Sequence, residues 1–445
     1  MSAVALGAVP ATPVAEELRR LRSLVSPYVG IVRAVGEFAA GPDDARLFRV
    51  GCRIAEVAPL LGVEVDYRAG GTAPSRDAAF AATLGEVAER YSASSPMHDG
   101  GVLAPAARLG PQAVDPGRFA LFSDAQYARA GFPFRPFTRT TAVRWVEAFS
   151  IPSGAPALVP RQLVHLAWRP EPGSGEVPIG YSTSSGAACG CTLEEAVLRG
   201  LLELLERDAF LVVWANRLSL PLLEWSGHLE LVELDRRYFR PSGLTYAAVD
   251  LSCFFDVPTV LGVVRDERVP GAALGVGAAA APRIEEAWLR ALAEAFSVRT
   301  WARLTWDGRG DPSAAIETFD DHIRFYGTPE RAEITRFLDE SSGRRDVRDV
   351  PTLEGDDVGA QIEAVAARLE ARGASAYAAD VTAPDIRDAG LRVAKVVAPE
   401  LCALDVAHDA RFLGGRRLYH AAFELGLRAA PLTPQEVNPH PHPFP

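Results

Sequence analysis

The stretch 182–218, STSSGAACGCTLEEAVLRGLLELLERDAFLVVWANRL, decides how this chain is read. A Gly/Ser loop enters a long helix, and the helix carries its charges in one register. On a helix of 3.6 residues per turn, each residue advances about 100°. Relative to Glu203, Glu206 lies at about −60°, Glu195 at about −80°, Arg199 at about −40° and Arg207 at about +40°. These charges share an arc of about 120°. Leu198, Leu201, Leu204 and Leu205 fill the opposite side. Carboxylates crowded on one stripe repel one another unless a cation relieves them. Mg2+ takes hard oxygen ligands and usually keeps phosphate in its shell. Arg207, beside the carboxylates, suits a phosphate oxygen. An amphipathic helix with its charged face in water would show a similar pattern, because i,i+4 Glu–Arg pairs are common surface features.

Repetition discriminates between the two. EEAVLRGLLE (194–203) and EEAWLRALAE (285–294) are identical at seven of ten positions, at a fixed offset of 91. A weaker copy is DAAFAATLGEVAER (77–90). There Ala79, Leu84, Glu86, Glu89 and Arg90 match Ala196, Leu201, Glu203, Glu206 and Arg207. One carboxylate register written on separate helices predicts a triplicated unit, each helix preceded by a Gly-containing loop or strand end.

Composition narrows the function. The 445 residues can bury one large core or two to three domain-sized ones. Hydrophobic residues make up 48% and charged residues 23%, as in a folded protein. A net charge of −11 argues against an extended basic surface for nucleic acid. The five cysteines (Cys52, Cys189, Cys191, Cys253 and Cys402) are odd in number and irregularly spaced. No disulfide framework is expected, and the chain is read as cytoplasmic. The start lacks the charged-then-apolar order of a signal peptide. PGAALGVGAAAAP (270–282) is too short to span a bilayer. The basic residues include a single lysine, Lys395, and Ala394 precedes it, so no P-loop is present. The kinase signature set is absent as well. The CGC at 189–191 has no second cysteine pair and is read as packing rather than a zinc site.

Along the chain, residues 1–18 read as a loose N-terminal arm, 19–430 as the folded body and 431–445 as a proline-rich tail. Helices are expected over 15–25, 75–93 with Ser75 as N-cap, the later part of 182–218 after its Gly/Ser loop, 282–306 and 358–373. Strands are expected in YVGIVRAVGEF, APLLGVEVDYRAGG, QLVHLAW, LTYAAVDLS, VPTVLGVVRDE, ASAYAADVT and LRVAKVVAPEL. Residues 340–357 read as an exposed charged loop. Helices and strands interleave without a strict βαβ rhythm, so the fold class is α+β with mixed sheets.

GGTAPSRDAAFAATLGEVAERYSA, STSSGAACGCTLEEAVLRGLLELLERDAF, DVTAPDI and the closing PHPFP together resemble the YcaO family, in particular its azoline-forming cyclodehydratases of ribosomally made peptides. The resemblance runs from about SPYVGIV (26–32) onward. It implies ATP and Mg2+ bound without a Walker motif. By position it makes Glu86, Glu89, Glu195, Glu203 and Glu206 metal ligands, and Arg90 and Arg207 nucleotide contacts. Arg19, Ser26 and Lys395 fall at further nucleotide contacts, Arg19 with Arg20 and Arg22 as competitors. Glu294, Pro441, Pro443 and Pro445 are implied to belong to the catalytic region. Two departures stand out: EAFSVR (294–299) carries Ser297 where azoline-forming members show Gln, and PEL (399–401) replaces Pro-Gly-Leu.

The implied reaction is ATP-dependent cyclodehydration of Cys, Ser or Thr in a precursor peptide to thiazolines or oxazolines. The implied partners are the precursor, a separate leader-binding protein, a flavin-dependent azoline dehydrogenase and a second copy in a homodimer. Thioamide or amidine formation, and a non-catalytic nucleotide-binding scaffold, are the alternatives. The ending NPHPHPFP is expected to hold an extended polyproline form and reach the active site.

Overall fold

The computed structural model describes residues 4, 6–7, 9–61, 69–95, 100–266, 268–306, 308 and 315–444. Three sheets and six principal helices organise them. The helices are α1 (Val14–Leu21), α2 (Arg76–Ser94), α3 (Leu193–Asn216), α4 (Ile284–Thr305), α5 (Val358–Ala371) and α6 (Arg416–Glu424). An antiparallel sheet is formed by β1 (Val32–Phe38), β2 (Phe48–Ile54) and β3 (Gly70–Ala73) in that order. A second antiparallel sheet contains β4 (Val102–Pro105), β5 (Ala142–Ile151), β6 (Pro156–Pro160), β7 (Ala187–Gly190), β13 (Ala376–Asp380) and β14 (Arg392–Val397). Its order is β4-β5-β13-β14-β7, with β6 on β5. The third holds β8 (Leu222–Glu224), β9 (Thr245–Asp250), β10 (Thr259–Arg265), β11 (Leu274–Ala280) and β12 (Arg344–Asp346), in the order β11-β10-β9-β8-β12. Only its β8–β12 pair is parallel among the described strand pairs.

The expected helices form where periodicity put them, within a few residues at their ends. The Ser75 hydroxyl accepts from the Ala78 amide at 3.2 Å, and the Thr192 hydroxyl does the same for Glu195 at 3.2 Å. Such caps satisfy amides that the first helical turn leaves unpaired. α3 is the axis of the molecule. It packs on β7, β11, β14, α5 and α6, and Leu201, Leu205, Ala209 and Phe210 are fully buried along it. Each such leucine contributes roughly 1.5–3 kcal/mol of burial.

Three local readings change. QLVHLAW is not a strand: Arg161–Leu163 form a 3-10 turn. The Gln162 side chain donates to Glu176 and Val177 and accepts from Ile179, so it holds the turn from inside. Ala58–Leu61 is a helical turn rather than the start of a strand, and 62–68 lie outside the described residues. Residues 340–357 are not all an exposed loop, since β12 pairs there and Val347, Val350 and Leu353 are buried. Nor is the arm loose where it is described. The Val4 amide donates to Gly154 and the Val9 carbonyl accepts from Val358.

Each glutamate helix follows a strand that it packs against: β3 leads to α2, β7 to α3 and β11 to α4. The approach is close. A Cβ on Gly277 of β11 would lie 2.5 Å from the Ala295 nitrogen of α4, so only glycine permits it. Gly186, just before β7, has φ +80° and sits against the Val396 carbonyl.

Candidate active site

The three strand–helix units share one hydrogen bond. The Gly70 amide donates to Glu86 at 3.0 Å, Gly186 to Glu203 at 3.0 Å and Ala278 to Glu294 at 2.8 Å. These are the glutamates that align in the sequence repeat. In each unit the carboxylate reaches back to its own strand, which fixes where the next turn of the helix projects. One turn on, Glu89 and Glu206 project into the same seam.

The seam is acidic and sparsely solvated. Burial pushes Glu206 up to about 8; Arg207 opposes that shift, and repulsion from Glu294 and Glu203 adds to it. Burial also raises Glu294, with Arg207 opposing. Glu89 is held well above the usual carboxylate range by burial and by Glu203 and Glu86, against Arg90 and Lys395. Arg90, Arg207 and Lys395 face this set, and Arg290 acts on Glu206 and Glu294 as well. Arg90 pairs with Glu86 at 2.7 Å. Arg207 lies 3.3 Å from both Glu203 and Glu206. Lys395, 3% exposed, donates to the Thr183 and Ser185 carbonyls at 2.5 Å each. Burial lowers its ammonium to about 8, and Glu203 and Glu89 offset part of that. It stands on an interior strand, between β13 and β7.

Half-buried carboxylates that repel one another fit a hard divalent cation, and the raised values mark the charge it would neutralise. Glu89, Glu203, Glu206 and Glu294 are the residues that would share such cations between them, since no three of them gather ligand atoms within 4.8 Å of one another. Glu195 is not brought to this group. It lies about 12 Å up the helix axis from Glu203. Its carboxylate accepts from the Thr12 and Cys191 amides at 2.5 and 2.8 Å. Burial works to raise its pKa, but those amides outweigh it and hold it low. Arg19 also stands apart, exposed and paired with Glu16 at 2.6 Å. Arg20 instead bridges α1 to the Gly390 carbonyl at 2.8 Å. The Ser26 hydroxyl accepts from the Tyr28 and Val29 amides at 3.3 Å, holding its own turn. Ser297 bonds Thr72 at 2.7 Å, tying α4 to the strand of the first unit. Both CGC thiols are buried free cysteines whose pKa burial raises, consistent with packing.

The tail is folded in. Pro441, His442, Pro443 and Phe444 are buried; Pro445 lies outside the described residues. The Phe444 ring, fully buried, covers the Arg207 guanidinium at 4.2 Å and packs on Phe210 at 4.7 Å. Further back, Trp214 donates to the His440 carbonyl at 3.2 Å and Tyr326 to the Pro441 carbonyl at 2.6 Å. The Asn438 amide donates to Ala215 at 3.0 Å. These aromatic anchors were not foreseen, yet their signal is in the sequence. Phe210 and Trp214 follow Arg207 at about −60° and −20°, so the charged stripe continues as an aromatic one.

His322, Asp405 and His442 form the one group among the described residues that could gather three metal-ligating atoms. Hydrogen bonds account for it better. His322 meets the His442 and Val406 carbonyls at 2.9 and 2.8 Å, and His442 meets the Asp405 carbonyl at 2.7 Å. The two rings stack 4.0 Å apart. The group clamps the tail.

Fold and seam together define a class: an α+β protein that gathers glutamates from three strand–helix units into one cation-ready seam without a P-loop. The profile of the YcaO cyclodehydratases, described as ATP- and Mg2+-binding, matches residues 70–402, and the chain belongs to the YcaO family. A heterocyclase solved in complex with substrate and cofactor is similar over 100% of this chain and 59% of its own, at 24% identity and TM-score 0.81. The YcaO from Methanopyrus kandleri, bound with AMPPCP and Mg2+, is similar over 90% of this chain and 94% of its own, at 23% identity and TM-score 0.63. In sequence, an uncharacterised protein of Methanothermobacter thermautotrophicus is 30% identical over 35% of this chain and 41% of its own length. The chain thus spans about two fifths of that relative and about three fifths of the heterocyclase. Among the described residues, no helix is long and apolar enough to cross a membrane.

Proposed function

We propose that the chain forms azolines in a ribosomal precursor peptide, at the expense of ATP and with Mg2+ held at the seam. The observation that carries this is the convergence of Glu89, Glu203, Glu206 and Glu294 with Arg90, Arg207 and Lys395, closed on one side by the tail. In the reaction, a Cys, Ser or Thr side chain bonds to the preceding carbonyl carbon and loses its proton. The carbonyl oxygen then takes the terminal phosphoryl group of ATP, releasing ADP. The carbon–oxygen bond breaks, phosphate leaves and the amide proton departs to give the C=N bond. Bound Mg2+ would neutralise triphosphate charge. Arg207 and Arg90 are placed to hold phosphate oxygens, and Lys395 is a third buried positive charge beside them. The buried Phe444 and His442 keep water from the Arg207 side, which favours transfer to the peptide over hydrolysis.

The substrate is a precursor peptide presented by a separate leader-binding partner. The chain spans 59% of the length of the heterocyclase it resembles. A neighbouring structure is a microcin synthetase complex with its pro-peptide bound, similar at TM-score 0.59. A homodimer and a downstream flavin-dependent dehydrogenase complete the proposed setting.

The test incubates the chain with ATP, Mg2+, a precursor and the partner, following peptide mass and phosphate. Loss of one water per modified residue, with stoichiometric phosphate, supports ring formation. ATP binding with unchanged peptide mass would replace the reading with a scaffold. An oxygen-for-sulfur exchange would replace it with thioamide formation.

A further inference from the structure

Beside the seam lies a half-open cavity of about 80 Å³. Leu204, next to Glu203 on α3, forms one wall, and Lys395 and Val396 of β14 form another. The remaining side is Leu163, Leu401 and Phe412. Lys395 is the one charged side chain among the described residues lining it. Its ammonium is turned onto the Thr183 and Ser185 carbonyls. Ser182 donates to main-chain carbonyls and Tyr181 to Ala410, while Thr183 and Ser185 add hydroxyls to the lining. The rest of the lining is mostly apolar. Its wall is fixed rather than collapsible, because the Ala120 amide bonds Pro399 and Gly414 bonds Leu121, each at 2.8 Å. A nucleotide-sized ligand needs a site several times larger. One aliphatic side chain fits.

We propose that this cavity receives the side chain of the residue immediately preceding the cyclised Cys, Ser or Thr. The inference rests on the azoline-forming reading above and adds its substrate selectivity. The preceding residue owns the carbonyl under attack, and its Cβ is two bonds from that carbon. With the carbonyl turned toward the seam for phosphorylation, its Cβ must lie at the seam's edge. Lys395 stands at that edge: it lines the cavity and faces Glu203 and Glu89 of the seam. The occupant is small and apolar; a charged side chain would be desolvated there, with the one lining charge, Lys395, already turned onto two carbonyls.

The test uses precursors with Gly, Ala, Val or Leu before the cyclised residue, each with the partner, ATP and Mg2+. Ala398→Val and Ala403→Val shrink the cavity from half-buried positions, and Leu163→Ala enlarges it. Shrinking is expected to leave kcat/KM for the Gly precursor within about twofold and to lower it for Val and Leu by roughly tenfold or more, as one methylene does in a tight apolar pocket. Enlarging shifts the preference toward Leu. Rings formed on the Gly precursor, with the same fractional change across the panel in all three variants, overturn the subsite and leave the reaction standing. No ring on any precursor, with ATP bound, overturns both.

Discussion

Phe444→Ala should release the tail without unfolding the body. The ring is fully buried, lies 4.2 Å over the Arg207 guanidinium and packs 4.7 Å from Phe210. Truncating a buried Phe to Ala removes roughly 3–5 kcal/mol. Up to about 2 kcal/mol of that can be the desolvated cation–π contact. The lower figure is appropriate here, since a chain end can relax into the gap. About 3 kcal/mol at 1.4 kcal/mol per decade raises the open population of the tail roughly 10²-fold. The prolines at 439, 441 and 443 have no amide, so the hydrogen-bonded reporters are the amides of Asn438, His440 and Phe444. Native-state hydrogen exchange at these amides should accelerate roughly 10²-fold, while exchange within α3 changes little. ATP affinity should hold within a few-fold and ring formation should fall steeply. Phe444→Leu, which keeps burial but not the ring over Arg207, should lie between. Unchanged tail protection in Phe444→Ala would refute the docking energetics. A drop in global stability of the full 3 kcal/mol would instead make the ring part of the core.

Three further outcomes follow from the seam and its supports. Glu206 keeps its proton in the folded state up to about 8, against 4.5 ordinarily, so it favours the fold most below pH 4.5 and loses that contribution as pH rises toward 8. Metal-free protein should therefore lose stability across that window, Glu206→Gln should flatten the loss while abolishing ring formation, and Mg2+ affinity measured calorimetrically should rise with pH toward 8. Arg417 lies within 2.8 Å of the fully buried Asp208, which also accepts from the Cys402 amide at 2.9 Å; Arg417→Ala strands that carboxylate and should cost about 3–5 kcal/mol in denaturant unfolding. Lys395→Arg should fail to restore turnover lost in Lys395→Met, because a guanidinium cannot occupy the space between two carbonyls 2.5 Å from the ammonium; steady-state phosphate release decides it.

The carboxylate register was legible because it is written three times, and repetition survives where a single amphipathic pattern is ambiguous. The axial position of Glu195 was not. An angular projection places it within 80° of Glu203 but ignores the rise that carries it about 12 Å away. β7 (Ala187–Gly190) was read as loop and β11 (Leu274–Ala280) was passed over. Both are made of small residues with little strand propensity, and pairing with β14 and β10 makes them strands. Those same small residues let α3 and α4 approach closely enough to aim their glutamates. QLVHLAW failed for the opposite reason: its apolar residues are those of a strand, but Gln162 finds three partners that only a turn can offer.

The seam is built against its own stability, and the scaffold accounts for how. Three glutamates are tied to strand amides, which prevents them from swinging apart to relieve repulsion. Glu89 and Glu206 are then carried inward on rigid helices whose other faces are packed. Arg90 and Arg207 reduce the repulsion without cancelling it, as the raised Glu89, Glu206 and Glu294 attest. A site balanced by arginines alone would have no charge left to attract a cation. One without them would leave the carboxylates protonated and the helices splayed. The residual acidity is what a divalent ion can exploit, since its binding releases protons and strain together. The Phe444 cap belongs to the same arrangement: its ring covers one face of the Arg207 guanidinium and shields it from solvent.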